Sequence, residues 1–99
     1  MEETELRPVE QILKSFFQDL MNDPKMQGIY QWIELMSGLA EELGRLREDA
    51  GLTQEELAEL SGVSRRTIVA LEGMDANPRL NTLSKLAVAL GKKLTVRFE

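Results

Sequence analysis

The amino-acid sequence predicts an all-α protein of five to six short helices that ends in one short β-strand. Three observations carry that prediction. Apolar residues recur three and four positions apart through nearly the whole stretch from 9 to 90, the period of helices with one buried face. Helix stops and starts punctuate that stretch: Asn22-Asp23-Pro24, Gly51, Ser61-Gly62-Val63-Ser64, Gly73 and Gly91. Only after Gly91 does the period fall to two, where Leu94, Val96 and Phe98 alternate with Thr95 and Arg97.

Residues 1–7 are polar and expected to fray, and Pro8 suits the first turn of a helix. Val9, Ile12, Leu13, Phe16, Phe17 and Leu20 then form a wide apolar stripe. Such a stripe either packs, within the chain or between copies of it, or grips another protein. Asp23 caps a second helix that opens at Pro24 and carries Met26, Ile29, Ile33 and Met36 on one face, with Trp32 alongside. Trp32 and Tyr30 are expected as core or interface anchors. Ser37-Gly38 is either a boundary or a weak point inside one longer helix. Leu39, Leu43, Leu46 and Ala50 are expected to form the inner face of the next helix, which Gly51 ends, with Arg47 beside that face.

The most informative stretch is 52–73. Thr53 followed by Glu56 is a capping box, in which the hydroxyl accepts from one backbone N–H and the carboxylate from another. Leu57, Ala58 and Leu60 are expected inward. Gly62 supplies the left-handed residue that a sharp turn requires, Val63 fills the corner, and Ser64 caps the following helix. In that helix Ile68 and Leu71 share one face, while Arg65, Arg66 and Thr67 crowd the exposed first turn. Two short helices joined by a tight, glycine-containing turn are the geometry of a helix-turn-helix. After Gly73 come a loop, Met74–Pro78, and a last helix over about 81–90 with Leu83, Leu86, Ala87 and Leu90 inward. One strand leaves its backbone groups unpaired, so the economical expectation for 92–99 is pairing with its own copy across a two-fold dimer.

Arg47, Gly51-Leu52-Thr53-Gln54, Leu57-Ala58, Gly62-Val63-Ser64, Ile68 and Glu72-Gly73, continued by Pro78, Thr82-Leu83, Leu86-Ala87 and Ala89-Leu90-Gly91, resemble the Xre/Cro-type helix-turn-helix family. The resemblance implies a lambda-repressor-like domain at 37–91, preceded by an N-terminal helical extension at 1–36 and followed by a dimerisation strand at 92–99. It implies that Ser64–Glu72 is the recognition helix. Gln54, Ser64, Arg65, Arg66, Thr67, Val69 and Ala70 are the DNA-binding positions: the two arginines read bases, and Gln54 holds a phosphate. It also implies a structural ion pair between Arg47 and Glu72. Family members often carry a lysine or arginine just after the glycine; this chain has Met74 and Asp75 there. The tail containing Leu94, Val96 and Phe98 resembles that of HigA-like antitoxins in particular.

Composition bounds the alternatives. With no cysteine and no histidine among 99 residues, a disulfide framework, a typical zinc site and Ser-His or Cys-His catalysis are excluded. The neighbouring carboxylates Glu41-Glu42, Glu48-Asp49 and Glu55-Glu56 do not converge, because adjacent residues point apart on a helix. No enzyme, cofactor, metal or membrane function is therefore expected, and the chain is read as cytoplasmic. The net charge of −5 is unevenly spread: residues 1–36 hold seven acidic and three basic side chains, and 37–99 hold ten and nine. A basic face can thus coexist with an acidic chain, whose first third asks for a different partner.

The resemblance implies a homodimeric repressor of a palindromic operator that also serves as the antitoxin of a type II module. It would autoregulate its operon and neutralise a small basic ribonuclease toxin, with Ile12, Phe16, Phe17 and Trp32 as candidate toxin-binding residues. The alternative is a stand-alone repressor whose first 36 residues serve dimerisation or ligand sensing. A third reading is a protein–protein adaptor that has lost DNA binding.

Overall fold

The computed structural model describes residues 7–99, and within them the fold is all-helical. Five helices follow one another: α1 (Pro8–Asn22), α2 (Pro24–Asp49), α3 (Gln54–Ser61), α4 (Arg65–Glu72) and α5 (Leu80–Ala89). Of residues 1–7, expected to fray, 1–6 lie outside the described residues, and Arg7 pairs with Glu10. The chain divides into two compact units, the first ending at Leu35 and the second running from Met36 to Glu99. None of the described helices is long and apolar enough to cross a membrane.

In the first unit, α1 begins beside an Arg7–Glu10 ion pair of 2.7 Å and buries none of its residues. Its Phe16 and Phe17 rings meet edge to face, with centroids 5.8 Å apart. Asp23 ends α1 and starts α2: its N–H donates to the Leu20 carbonyl, and its carboxylate accepts from the Lys25 N–H at 2.9 Å. Ser37-Gly38 sits inside α2, which is one unbroken helix of 26 residues.

The second unit has a core of Leu43, Leu57, Val63, Ile68, Leu71 and Leu86, with Leu52, Leu83 and Leu90 packed around it. Leu57, Ile68, Leu71 and Leu86 are almost wholly withdrawn from water, each contributing about 1.5–3 kcal/mol of hydrophobic stabilisation. The caps expected at α3 and α4 are present. Thr53 Oγ1 accepts from the Glu56 N–H at 3.0 Å, and the Glu56 carboxylate accepts from the Thr53 N–H at 2.8 Å. Ser64 Oγ accepts from the Thr67 N–H at 3.1 Å. Gly62 turns the corner at φ +77°.

Three expectations are corrected. Leu60 is exposed, because the inner face of α3 passes through Leu57, Ala58 and Ser61, and Leu60 lies about a quarter-turn or more from their mean direction. The buried line of α2 is Met36, Ala40 and Leu43, continued by Arg47, rather than Leu39, Leu43, Leu46 and Ala50. After α4, Met74 takes a left-handed conformation at φ +59°, and Gly73 stands at φ −91°. A Cβ at Gly73 would stand 3.3 Å from the Val69 carbonyl oxygen, a tight contact. Residues 92–99, finally, form no strand: Leu94, Val96 and Phe98 lie in a stretch without regular structure, and Val96 and Phe98 are exposed. Within one chain the described residues offer no second extended segment to complete a ladder.

The Arg47–Glu72 pair is present and largely buried, with 13% and 14% of the two side chains exposed. Arg47 Nε donates to Glu72 Oε2 at 2.7 Å and Nη2 to Oε1 at 3.1 Å, while Nη1 donates to the Leu52 carbonyl at 2.8 Å. Gln54 Nε2 adds a further bond to Glu72 Oε1 at 3.1 Å. Burial alone would raise the Glu72 carboxyl above its ordinary 4.5, but the hydrogen bonds from Arg47 and Gln54, with the Arg47 charge, outweigh it and hold the group lower. The same hydrogen bond raises Arg47 above its already high value.

Glu72→Gln should therefore cost about 2–4 kcal/mol in urea unfolding at neutral pH, because the guanidinium loses its counter-charge while still mostly buried. A carboxyl whose pKa falls on folding contributes its stabilisation above its unfolded pKa and loses it as pH falls through the folded one. Wild type should thus lose stability on acidification below about pH 4.5 more steeply than Glu72→Gln. Parallel acid limbs would place the pair's charge outside the folding equilibrium.

Candidate nucleic-acid interface

The candidate interface is built on α4, whose two ends are treated in opposite ways. Its C-terminal residue, Glu72, is tied by Arg47 to α2, and Ile68 and Leu71 fix one face in the core. Its N-terminal turn is free: Arg65 and Arg66 are exposed and enter no ion pair shown among the described residues. Two cations thus stand on the first turn of a helix held rigidly at its far end. That turn is also the positive end of the helix dipole, which adds to their field.

The remaining sequence-predicted positions divide by what they already do. Ser64 is exposed, but its hydroxyl caps α4 and lies 2.8 Å from the Thr67 hydroxyl, so each partly satisfies the other. Val69 is exposed and Ala70 half-buried, one turn further along. Gln54 departs most from expectation, for its amide is hydrogen-bonded to Glu72. Any phosphate contact would have to use its remaining amide hydrogen or break that bond.

The structure adds residues that the sequence reading left out. Arg66, Thr67 and Ala70 form one wall of a shallow hollow whose other wall is Asn77, Pro78, Arg79 and Thr82. Arg79 is exposed and precedes α5, whose first turn has no side-chain cap. The hollow therefore sets two arginines and the threonines Thr67 and Thr82 beside the start of α5, which has no side-chain cap, donors suited to a phosphate oxygen. The signal was in the sequence as Pro78-Arg79 after a loop, masked by the absence of a basic residue at Met74 or Asp75. The predicted toxin-binding residues lie elsewhere: Ile12, Phe16 and Phe17 on α1, and Trp32 on α2, all in the first unit and all exposed.

Comparison with known proteins is consistent with this geometry. A family described as "Helix-turn-helix" matches residues 39–96. An HTH-type transcriptional regulator of Methanothermobacter thermautotrophicus is 51% identical over 47 residues, covering 48% of this chain and 68% of the relative. Antitoxin HigA1 of Mycobacterium tuberculosis is 32% identical over 77 residues, covering 78% of this chain and 52% of its own. The crystal structure of an HTH_3 family transcriptional regulator from Vibrio cholerae matches with a TM-score of 0.57 and 33% identity, covering 59% of this chain and 33% of that one. The chain thus spans about half the length of HigA1 and a third of the Vibrio protein.

If Arg65 reads a base, Arg65→Ala should weaken binding to a preferred duplex by about 1–3 kcal/mol and relax selection at one base pair per half-site. Arg79→Ala, acting on phosphate, should weaken preferred and random duplexes alike and reduce the dependence on salt by about one ion. Equal losses on both duplexes for Arg65→Ala would show that it holds only phosphate.

Proposed function

The chain belongs to the HTH_3, Xre-type helix-turn-helix family, and from that premise we propose that it is a sequence-specific transcriptional repressor that acts as a dimer on a palindromic operator. The observation that carries this reading is the polarity of α4, pinned at Glu72 and bare at Arg65 and Arg66. Such a helix enters the major groove tip first. Arg65 and Arg66 then meet base edges, where an arginine fork matches guanine O6 and N7. Thr67, Val69 and Ala70 follow along the groove wall, the last two offering methyl groups to thymine. Gln54 and Arg79 face the sugar–phosphate backbone and set the register.

The finer reading is antitoxin of a type II module. Its support is the HigA1 match, which covers 78% of this chain. Only 61 residues lie between Leu39 and Glu99, so that match includes part of residues 1–38 as well as the helix-turn-helix. In this reading a small basic ribonuclease toxin docks on the N-terminal unit, with exposed Trp32 as its anchor beside Ile29 and Ile33 of α2. A stand-alone repressor is the second reading, favoured by the higher identity to relatives named only as transcriptional regulators.

Two measurements on one set of proteins test the proposal. The wild-type chain should protect a palindrome upstream of its own gene in footprinting, and it should restore growth to cells expressing the product of an adjacent short gene for a basic protein. Trp32→Ala should lose the rescue and keep the footprint. A footprint with no growth-arresting neighbour selects the stand-alone repressor, and no footprint on any upstream sequence removes the DNA-binding reading.

A further inference from the structure

We infer that α1 is a self-association helix, whose apolar face is covered by α1 of a second copy of this chain. The inference goes beyond the DNA-binding reading and does not depend on it. Its starting point is an imbalance: α1 is a 15-residue helix with no buried residue, yet Val9, Ile12, Leu13, Phe16, Phe17 and Leu20 share one face. Ile12 is 67% exposed, Phe16 56% and Phe17 54%. Helices of this length are marginal in water unless a partner covers their apolar face.

Area, charge and symmetry identify the partner. With aromatic side chains of about 150–250 Å² each, half-exposed residues of this kind present roughly 500 Å² per helix, so two copies would bury roughly 1,000 Å², the lower bound for a specific interface. The charges along α1 are mixed: Glu10 and Asp19 against Lys14. Three of the seven acidic side chains in residues 1–36 are Glu2, Glu3 and Glu5, which precede the helix. The helix itself therefore carries no strong single-sign field to select a basic partner. A near-neutral apolar face with both signs at its margins suits an identical one. The apolar positions are also symmetric about the Lys14–Ser15 bond. Antiparallel pairing would set Leu13 opposite Phe16, Ile12 opposite Phe17 and Val9 opposite Leu20, each twice over, as a two-fold interface requires.

Sedimentation of the full-length chain tests this without DNA. Wild type should be dimeric in the micromolar range, and Phe16→Ser with Phe17→Ser should raise the dimer dissociation constant at least about 100-fold. Because neither ring is buried in the protomer, the variant's thermal unfolding of the helix-turn-helix unit should be unchanged, which separates lost association from lost folding. Val96→Asp with Phe98→Asp, in the exposed tail, should leave the dimer intact. A monomeric wild type overturns the inference and gives the face to a different protein. A dimer that survives the phenylalanine changes, or falls apart with the tail changes, also overturns it and returns the contact to residues 92–99.

Discussion

The bidentate bond between Arg47 and Glu72 is the constraint on which the placement of α4 depends. It joins residues 25 positions apart, and its spare donors and acceptors reach further, to the Leu52 carbonyl in the α2–α3 connection and to Gln54 at the start of α3. The ion pair as a whole thereby ties α2, the α2–α3 connection and the start of α3 to the end of α4. Two charges so far from water are costly separately and tolerable together, provided that the remaining hydrogen-bonding positions are filled. Here both carboxylate oxygens of Glu72 accept, and all three guanidinium nitrogens of Arg47 are engaged. An apolar pair of similar volume can hold two helices as tightly. What the ion pair adds is direction, since a fork of two parallel bonds permits one orientation of α4 and so one placement of Arg65 and Arg66.

That rigidity answers the objection that an acidic chain is a poor ligand for DNA. A net charge of −5 sets the repulsion at long range, but salt screens it beyond roughly 8–10 Å. Inside that distance the local arrangement decides. Arg65, Arg66 and Arg79 are grouped at the α4 tip and the α5 entrance, whereas Glu41, Glu42 and Glu48 lie on α2. The α4 backbone that carries Arg65 and Arg66 is already held in place, so binding has only their side chains to order.

The same pair explains where the sequence was legible and where it was not. Local chemistry was readable: the Thr53–Glu56 box, the Ser64 cap and the turn at Gly62 depend on residues within four positions of one another. The face of α2 was misread because hydrophobicity alone rotates it toward Leu39, Leu46 and Ala50. Arg47 looks polar and is treated as marginal, but its partner 25 residues away draws it inward, and Met36, Ala40 and Leu43 follow on the same line. That Glu72 would stand within 3.1 Å of the Gln54 amide is likewise a tertiary fact that leaves no trace in the sequence.

The strand expected at 92–99 and the helix α1 show why one chain can display a partner-dependent helix but not a partner-dependent strand. A helix closes its own backbone hydrogen bonds and needs a neighbour only for its side chains. An isolated strand has unpaired N–H and C=O groups along both edges, so without a second strand it has no ladder by which to exist. The period-two pattern of Leu94, Val96 and Phe98 is thus silent in one chain, while the apolar stripe of α1 is visible and uncovered. Of the two, α1 has the larger unsatisfied demand, with five exposed large apolar residues between Val9 and Phe17 against Val96 and Phe98 in the tail. Two recognition helices held by one dimer convert the second half-site contact into an intramolecular event, whose effective concentration far exceeds that of free protomers. In the proposed dimer, an interface of modest area would therefore govern operator affinity, acting through the linkage of two α4 helices and not through any contact of its own with DNA.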